Sequence, residues 1–409
     1  MFTNPPWLII VEIVLFAIAL SLLVPIGMLF IECFAALFPP SQPPETASAS
    51  PPRITVLIPA HNEASGISTT LKTIVPQLTD QDRLVVIADN CTDDTAAIAR
   101  QLGAKVIERH DTEHQGKGYA LDYGIKYLST DPPDIVVLVD ADCIVHESAI
   151  AKLAQRANIS QRPTQAIYLL EQPPNPTPKD TISALSVRVK NLVRPRGLNR
   201  LGFPCLLMGT GMAFPWSVIS QAPLASNNIV EDMQLGIDLA IAGHSPLFCL
   251  DARVTGCLPQ QQEAAKTQRT RWEHGHLQTL LTQVPRLLTQ SVIQRRVDLF
   301  AIALDLVVPP LSLLVMIWVA VMGGTLLAAV VGVSWIPAVF VGLEGLLILV
   351  SIIAAWVKFC RENIPAHTLL TVPFYILWKI PLYFAFLVKP ENKWIRTERD
   401  AGESSETVL

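Results

Sequence analysis

The residues best equipped for chemistry in this chain are acidic, and they stand at the ends of short aliphatic runs. Ile58–Glu63 (IPAHNE) and Ala88–Thr95 (ADNCTDDT) each follow such a run. Glu63 and Asp89 there can accept hydrogen bonds from a nucleobase N–H or from ribose hydroxyls. Asp93 can equally cap the helix expected after it. Val139–Cys143 (VDADC) sets Asp140 and Asp142 two positions apart at the end of another run. Two carboxylates so spaced can hold a hard divalent cation that in turn binds phosphate oxygens. Lys117, flanked by Gly116 and Gly118 ahead of a helical stretch, is either a phosphate partner or an ordinary loop lysine. The full P-loop pattern is missing around it, and no GxGxxG fingerprint occurs anywhere.

Two further motifs follow. Val230–Asp232 opens a helix, where Glu231 and Asp232 either cap the first turn or, inside a cleft, supply a general base. Gln268–Trp272 (QRTRW) offers two arginines that can pair with a departing diphosphate, and a Trp face suited to stacking on a sugar ring. Together these motifs meet three needs of sugar transfer from a nucleoside diphosphate: holding the nucleoside, neutralising the leaving group and deprotonating an acceptor hydroxyl.

The series PAHNE, DNCTDDT, DAD, ED and QRTRW resembles the membrane-bound family-2 glycosyltransferases, the group that includes cellulose, chitin, hyaluronan and poly-N-acetylglucosamine synthases. The resemblance covers roughly residues 53–290. It implies a GT-A fold, a UDP-sugar donor, Mg²⁺ or Mn²⁺, and inversion at the anomeric carbon. Asp89 is then expected to contact the uracil, Asp140 the donor, and Asp142 the metal. Asp232 is the expected general base, Glu63, Lys117, Arg269 and Arg271 lie on the donor side, and Gln268, Trp272 and Gly209 on the acceptor side. Arg269 fills a less decisive position of its motif. Cys143 stands where some relatives have His, which leaves ligation beyond Asp142 open, and His146 reads as a surface residue at a helix start.

The elements that must position these residues follow from pattern. Ile54–Pro59, Leu84–Ala88, Lys105–Glu108, Ile135–Val139 and Gln165–Leu170 read as buried strands. They alternate with helical stretches at Ser65–Gln77, Asp93–Leu102, Tyr119–Leu128 and Glu147–Ala157. That alternation predicts an α/β fold with a mostly parallel sheet, whose ligands gather at the carboxyl ends of the strands.

Around this core the chain is apolar. Of 409 residues, 50% are hydrophobic and 16% charged, with a net charge of −4, which excludes a protein dominated by nucleic-acid binding. Seven scattered cysteines form no CxxC pair, so reduced thiols are expected. Residues 1–38 read as a transmembrane anchor, broken by Glu12 and Glu32. With no Lys or Arg before Arg53, a cleaved signal peptide is disfavoured. A Pro/Ser-rich linker at 39–52 and a cytosolic catalytic domain at 53–276 follow. An interfacial helix is expected at 277–298, transmembrane or re-entrant segments at 299–388 and a tail at 389–409. Spans are expected near 299–331, 335–357 and 369–388. This organisation predicts an integral protein of the cell (inner) membrane, acting on a nucleotide-sugar donor and a glycan or lipid acceptor. Asp305 and Glu344, inside expected spans, call for a polar path or a partner. Finally, Arg188, Lys190, Arg194, Arg196 and Arg200 crowd a stretch, 181–230, that has no Asp or Glu. Two readings are open: a patch for anionic lipid, or a solvated basic helix.

Overall fold

All five expected strands form: four are apolar on both sides of the pleat and lie between covering layers, whereas Lys105–Arg109, expected to be buried, is an edge strand with Lys105 and Glu108 exposed. The structure is a computed structural model that describes residues 6–39, 51–173, 175–226, 230–257 and 262–388. Most of the expected linker (40–50) and the whole tail, with its Lys389, Lys393, Arg396 and Arg399, lie outside the described residues. The chain divides into two compact units: 42–180 with 203–275, and 1–41 with 181–202 and 276–390.

In the first unit the order is β1 Ile54–Ala60, α2 Ile67–Ile74, β2 Arg83–Asp89, α3 Thr95–Gln101, β3 Lys105–Arg109, α4 Lys117–Leu128 and β4 Ile135–Leu138. Then come β5 Cys143–Val145, α5 Ala149–Ser160, β6 Thr164–Glu171, β7 Met212–Pro215, α8 Trp216–Ile219, α9 Glu231–Ile241 and β8 Leu247–Cys257. Among the described residues, eight strands form one sheet in the order β3-β2-β1-β4-β7-β6-β8-β5. The β3-β2-β1-β4 half is parallel, with Ile58 beside Val86 and Leu57 beside Leu138. β7 enters antiparallel between β4 and β6, β6 and β8 are parallel, and β5 is antiparallel to β8. Sequence reading missed β5, β7 and β8. β5 and β7 are three and four residues long, too short for a period to register.

Successive strand residues serve opposite layers. Val56, Ile58, Val86 and Val137 pack with Ile67, Leu71, Ile150 and Leu153 of α2 and α5. Leu57, Val85, Ile87, Val136 and Leu138 pack with Leu121, Ile125, Leu235 and Leu239 of α4 and α9. Each fully buried Leu or Ile contributes roughly 1.5–3 kcal/mol of transfer free energy. The consequence for the site is geometric: α4 and α9 share one face of the sheet, so their first residues, Lys117 and Glu231–Asp232, come to one end of it.

The second unit holds α1 Pro6–Ala35, the end of α6 (Pro178–Arg188), a π-helical turn at Val189–Val193 and α7 Arg194–Arg200. It also holds the later part of α10 (Gln262–Ile293), then α11 Val297–Val307, α12 Leu311–Val330, α13 Ile336–Phe359 and α14 Val372–Val388. Among the described residues, four helices are long and apolar enough to cross a membrane: 6–35, 311–330, 336–359 and 366–388. The single span expected at 299–331 is corrected to two helices, α11 and α12. Pro309 and Pro310 interrupt it, neither having an N–H for an i→i−4 bond.

The basic segment is also corrected. Arg194 is buried at 6% exposure and donates to Glu32 and Asp305. Arg188 donates to the Phe359 carbonyl and Asn363, and Arg196 to the Ala36 carbonyl, with its guanidinium over the Phe359 ring. Lys190 and Arg200 are exposed. For the three arginines neither a lipid patch nor a solvated helix holds, because their partners lie in distant parts of the chain that a local charge count does not see.

Candidate active site

The cluster with the most chemistry lies where β4, α4, α9 and the turn before β7 meet. Lys117 forms an ion pair with Asp140 and donates to the Gly209 carbonyl at 2.7 Å. Burial opposes its charge, but Asp140, Glu231 and Asp232 together raise its pKa above the ordinary lysine value. Gly209 has φ +89, a left-handed conformation, and a Cβ there would stand 3.3 Å from Asp232 Oδ2. The turn thus passes close to both charged groups because it has no side chain. Lys117, Glu231 and Asp232 also line one pocket of about 190 Å³, together with Leu121, Met212, Leu224 and Leu235.

The turn is held from behind. Gln165 Oε1 accepts from Met208 N at 2.8 Å, and Gln165 Nε2 donates to the Thr210 carbonyl at 2.9 Å. The Asp140 amide donates to Thr210 Oγ1 at 3.0 Å. Gln165 and Thr210 are wholly buried, so both are positioning groups that sequence reading missed. The sequence signal for Gln165 was slight, an amide side chain at the start of a strand expected to be apolar.

Asp140 and Asp142 are both partly exposed, and ligand atoms of Asp140, Asp142 and Cys143 lie within 4.8 Å of one another. The two carboxylates suit a hard divalent cation. Cys143 does not, because a soft sulfur is a poor match for a hard ion, and burial with Asp142 and Asp140 beside it raises its thiol above the usual range. Its Sγ donates instead towards Asp142 Oδ1 at 3.7 Å. His146 stands apart, its Nε2 3.2 Å from Thr255 Oγ1.

At the neighbouring strand ends Asp89 is buried and accepts from Arg109 Nη1 at 2.7 Å and Asn90 Nδ2 at 3.1 Å. Burial raises its pKa, and the Arg109 hydrogen bond and charge oppose that. Arg109 also bonds Asp111 and the His114 carbonyl, so it is a buried anchor absent from the sequence reading. Asp93 accepts from Thr95 N and Oγ1 and from Ala64 N, which ties the loop after β1 to the start of α3. The N-cap position itself is Asp94, whose side chain makes no cap hydrogen bond, so Asp93 acts through an Asx-type turn one residue earlier. The Glu63 amide donates to Thr95 Oγ1 at 2.7 Å, and its carbonyl accepts from Gly66 and Ile67 at the start of α2.

Gln268, Arg269, Arg271 and Trp272 share the early turns of α10, and none of them lines the Lys117–Asp232 pocket. Buried Arg269 donates to Asp180 at 2.9 Å. Its guanidinium therefore has a partner within its own unit.

Comparison with known proteins gives the family. Residues 51–275 match the family model described as glycosyltransferase like family 2. The 4,4'-diaponeurosporenoate glycosyltransferase of Staphylococcus haemolyticus is 28% identical over 204 residues, 45% of this chain and 50% of that protein. The probable glycosyltransferase YdaM of Bacillus subtilis is 34% identical over 107 residues, 24% of this chain and 25% of that protein. The chain thus spans half or less of the length of these curated relatives. Among solved structures, a mannosyltransferase from Pyrobaculum calidifontis, in complex with GDP-Man and Mn²⁺, aligns with 85% of this chain and 99% of its own. Its TM-score is 0.53 at 19% identity, a likeness of fold alone, and the mostly parallel sheet of this chain is a GT-A type α/β fold. With its family model covering more than half of the sequence, the chain belongs to glycosyltransferase family 2.

Proposed function

We propose that this protein transfers a sugar from a nucleoside-diphosphate donor to a hydroxyl of a glycan or membrane-lipid acceptor. The observation that carries the reading is the convergence of Lys117, Asp140, Gly209 and Asp232 at one end of the sheet.

Asp140 and Asp142 are the residues that would hold Mn²⁺ or Mg²⁺, and the bound ion would neutralise charge on the leaving diphosphate. Lys117 adds a second positive charge on that side, and Arg269 and Arg271 are assigned the same task. Asp89, kept in one orientation by Arg109, accepts from a base N–H, as uracil and guanine both offer. Asp232, at the first turn of α9, takes the acceptor proton as the new bond forms and the donor's anomeric configuration inverts. Gln268 and Trp272 are assigned to the acceptor and Glu63 to the nucleoside side. Four helices able to cross a membrane favour an integral membrane protein, and the lack of Lys or Arg before Arg53 favours a cytosolic catalytic unit.

Two acceptor classes follow from different observations. The relative named for a diaponeurosporenoate acceptor favours single transfer to an apolar lipid. The Gln-x-x-Arg-Trp pattern favours extension of a β-linked glycan. The test is a screen of radiolabelled UDP-glucose, UDP-N-acetylglucosamine, UDP-galactose, UDP-glucuronate and GDP-mannose with membrane lipids, with and without Mn²⁺. Organic-soluble product supports the lipid acceptor and high-molecular-weight product the glycan. No nucleoside diphosphate released from any donor would overturn the proposal.

A further inference from the structure

Lys117 occupies a position that a metal-assisted transferase would be expected to keep clear. Its ammonium is paired with Asp140, one of the two carboxylates suited to the divalent cation. It is held there by the Gly209 carbonyl at 2.7 Å, on a turn that only a residue without a side chain can bring so close. The Lys117 side chain is 19% exposed and that of Asp140 31%, so water screens the pair only in part. Glu231 and Asp232 at the start of α9 line the same pocket as Lys117. Asp140 and Asp232 beside one ammonium leave a site that attracts a cation, yet the ammonium already occupies one of its oxygens.

We infer that Lys117 is a built-in rival of the divalent cation for Asp140, so that the cation binds weakly alone and firmly only with a nucleoside diphosphate. The inference rests on the metal-assisted reading given above. A divalent ion placed on Asp140 would meet a fixed positive charge at close range, an electrostatic cost that partial burial magnifies. The phosphate oxygens of the donor are an alternative partner for Lys117. Once the ammonium turns to them, the opposing charge at Asp140 is relieved. The donor then prepares its own metal site, and the cation without a nucleotide is kept off the catalytic carboxylates. This is a coupling between two ligands through one side chain, and it must be reciprocal.

The test is Mn²⁺ binding to the full-length protein in detergent, followed by the paramagnetic resonance of free Mn²⁺. It compares wild type with Lys117→Met, Lys117→Gln and Lys117→Arg, with Mn²⁺ alone and with UDP or GDP added. For Met and Gln, binding of Mn²⁺ alone is expected to tighten by about tenfold or more, from loss of one charge at contact distance. Lys117→Arg is expected to stay within about threefold of wild type, because it keeps the charge. Gln retains a donor for the Gly209 carbonyl and serves where Met does not fold; Mn²⁺-dependent thermal stabilisation of either gives an independent readout of the same affinity. Met and Gln variants that bind Mn²⁺ alone no more tightly than wild type, while wild type binds Mn²⁺ with UDP or GDP, would overturn the inference and leave the metal-assisted reading standing. Absence of Mn²⁺ binding to wild type under every condition would overturn both.

Discussion

Arg194 donates through Nε to Oε2 of Glu32 and through Nη2 to Oδ1 of Asp305, both at 2.5 Å, across sequence separations of 162 and 111 residues. The three groups are buried, so one guanidinium answers two carboxylates that would otherwise stand in an apolar bundle. It also explains why charged residues interrupt the runs around Glu32 and Asp305: each is paired within its own unit.

Removing the guanidinium should therefore cost far more than losing a surface ion pair. Arg194→Leu is expected to lower stability by roughly 3–5 kcal/mol, since two buried carboxylates lose their counter-charge. Thermal unfolding in detergent measures it. The triple change Arg194→Leu, Glu32→Leu and Asp305→Leu should recover most of the loss, because an apolar cluster needs no counter-charge. A triple variant no better than the single one would show that the charges are not what the site depends on.

At the active site, Asp232→Asn should lower turnover by about 10²–10⁴-fold, the range lost with a general base. Binding of UDP or GDP with Mn²⁺ should stay near wild type, because the amide keeps the size and most of the packing of the carboxylate beside Gly209. Product formation and calorimetric nucleotide binding, measured on the same preparation, separate the two effects. Near wild-type turnover in the Asn variant would remove Asp232 from the mechanism.

The parallel strands and their helices were legible because their residues repeat a physical requirement locally: two-sided burial for strands such as β1, one-sided burial for α4. The acidic motifs were legible for a related reason. A carboxylate directly after a buried run, as Asp89 follows Arg83–Ala88, must emerge at a strand end, where parallel strands deliver neighbouring motifs to one edge. What stayed hidden depends on distant pairing. Nothing near Arg194 announces Glu32, nothing near Arg109 in the sequence reading named it as the partner of Asp89, and Gln165 looked like one residue of a strand until the 208–211 turn came to rest on it. The break at Pro309–Pro310 was visible locally, and consecutive prolines should have outweighed the continuous hydropathy.

His276 supplies a pH test in the second unit. It is 4% exposed, and its Nε2 donates to the Val308 carbonyl at 3.2 Å. Burial, with Lys190 and Arg194 adding, lowers its pKa well below the ordinary histidine value of 6.5. Below about pH 6.5 the unfolded chain then binds a proton that the native state refuses, so this contribution to stability is complete above that pH and declines as pH falls towards the native pKa. The decline is up to roughly 1.4 kcal/mol per pH unit. His276→Gln keeps a side-chain donor without a titration. Its melting temperature should fall less than that of wild type between pH 7.5 and pH 5.5, and equal falls would refute the assignment.

Gly197 offers the sharpest steric test. On an ordinary exposed helix, Gly→Ala stabilises by roughly 0.5–1 kcal/mol, because Ala loses less conformational freedom on folding. Gly197 lies in α7, and a Cβ there would fall 2.0 Å from the carbonyl oxygen of Glu32, 2.7 Å from its carbonyl carbon and 2.9 Å from its Cα. These are backbone atoms of α1, which cannot turn aside as a side chain would, so either α7 or α1 must shift. The shift would pull Arg194, at the first position of α7, away from the carboxylate of that same Glu32. Overpacking should outweigh the propensity gain and reverse the sign: Gly197→Ala is expected to destabilise by roughly 1–3 kcal/mol. Gly27, in α1 with nothing within 4 Å of its added Cβ, is the matched control and should be neutral or mildly stabilised as Ala. Melting temperatures of the two variants in one detergent decide the matter. If Gly197→Ala melts at or above wild type, α7 does not approach α1 as closely as the Arg194–Glu32 pair requires.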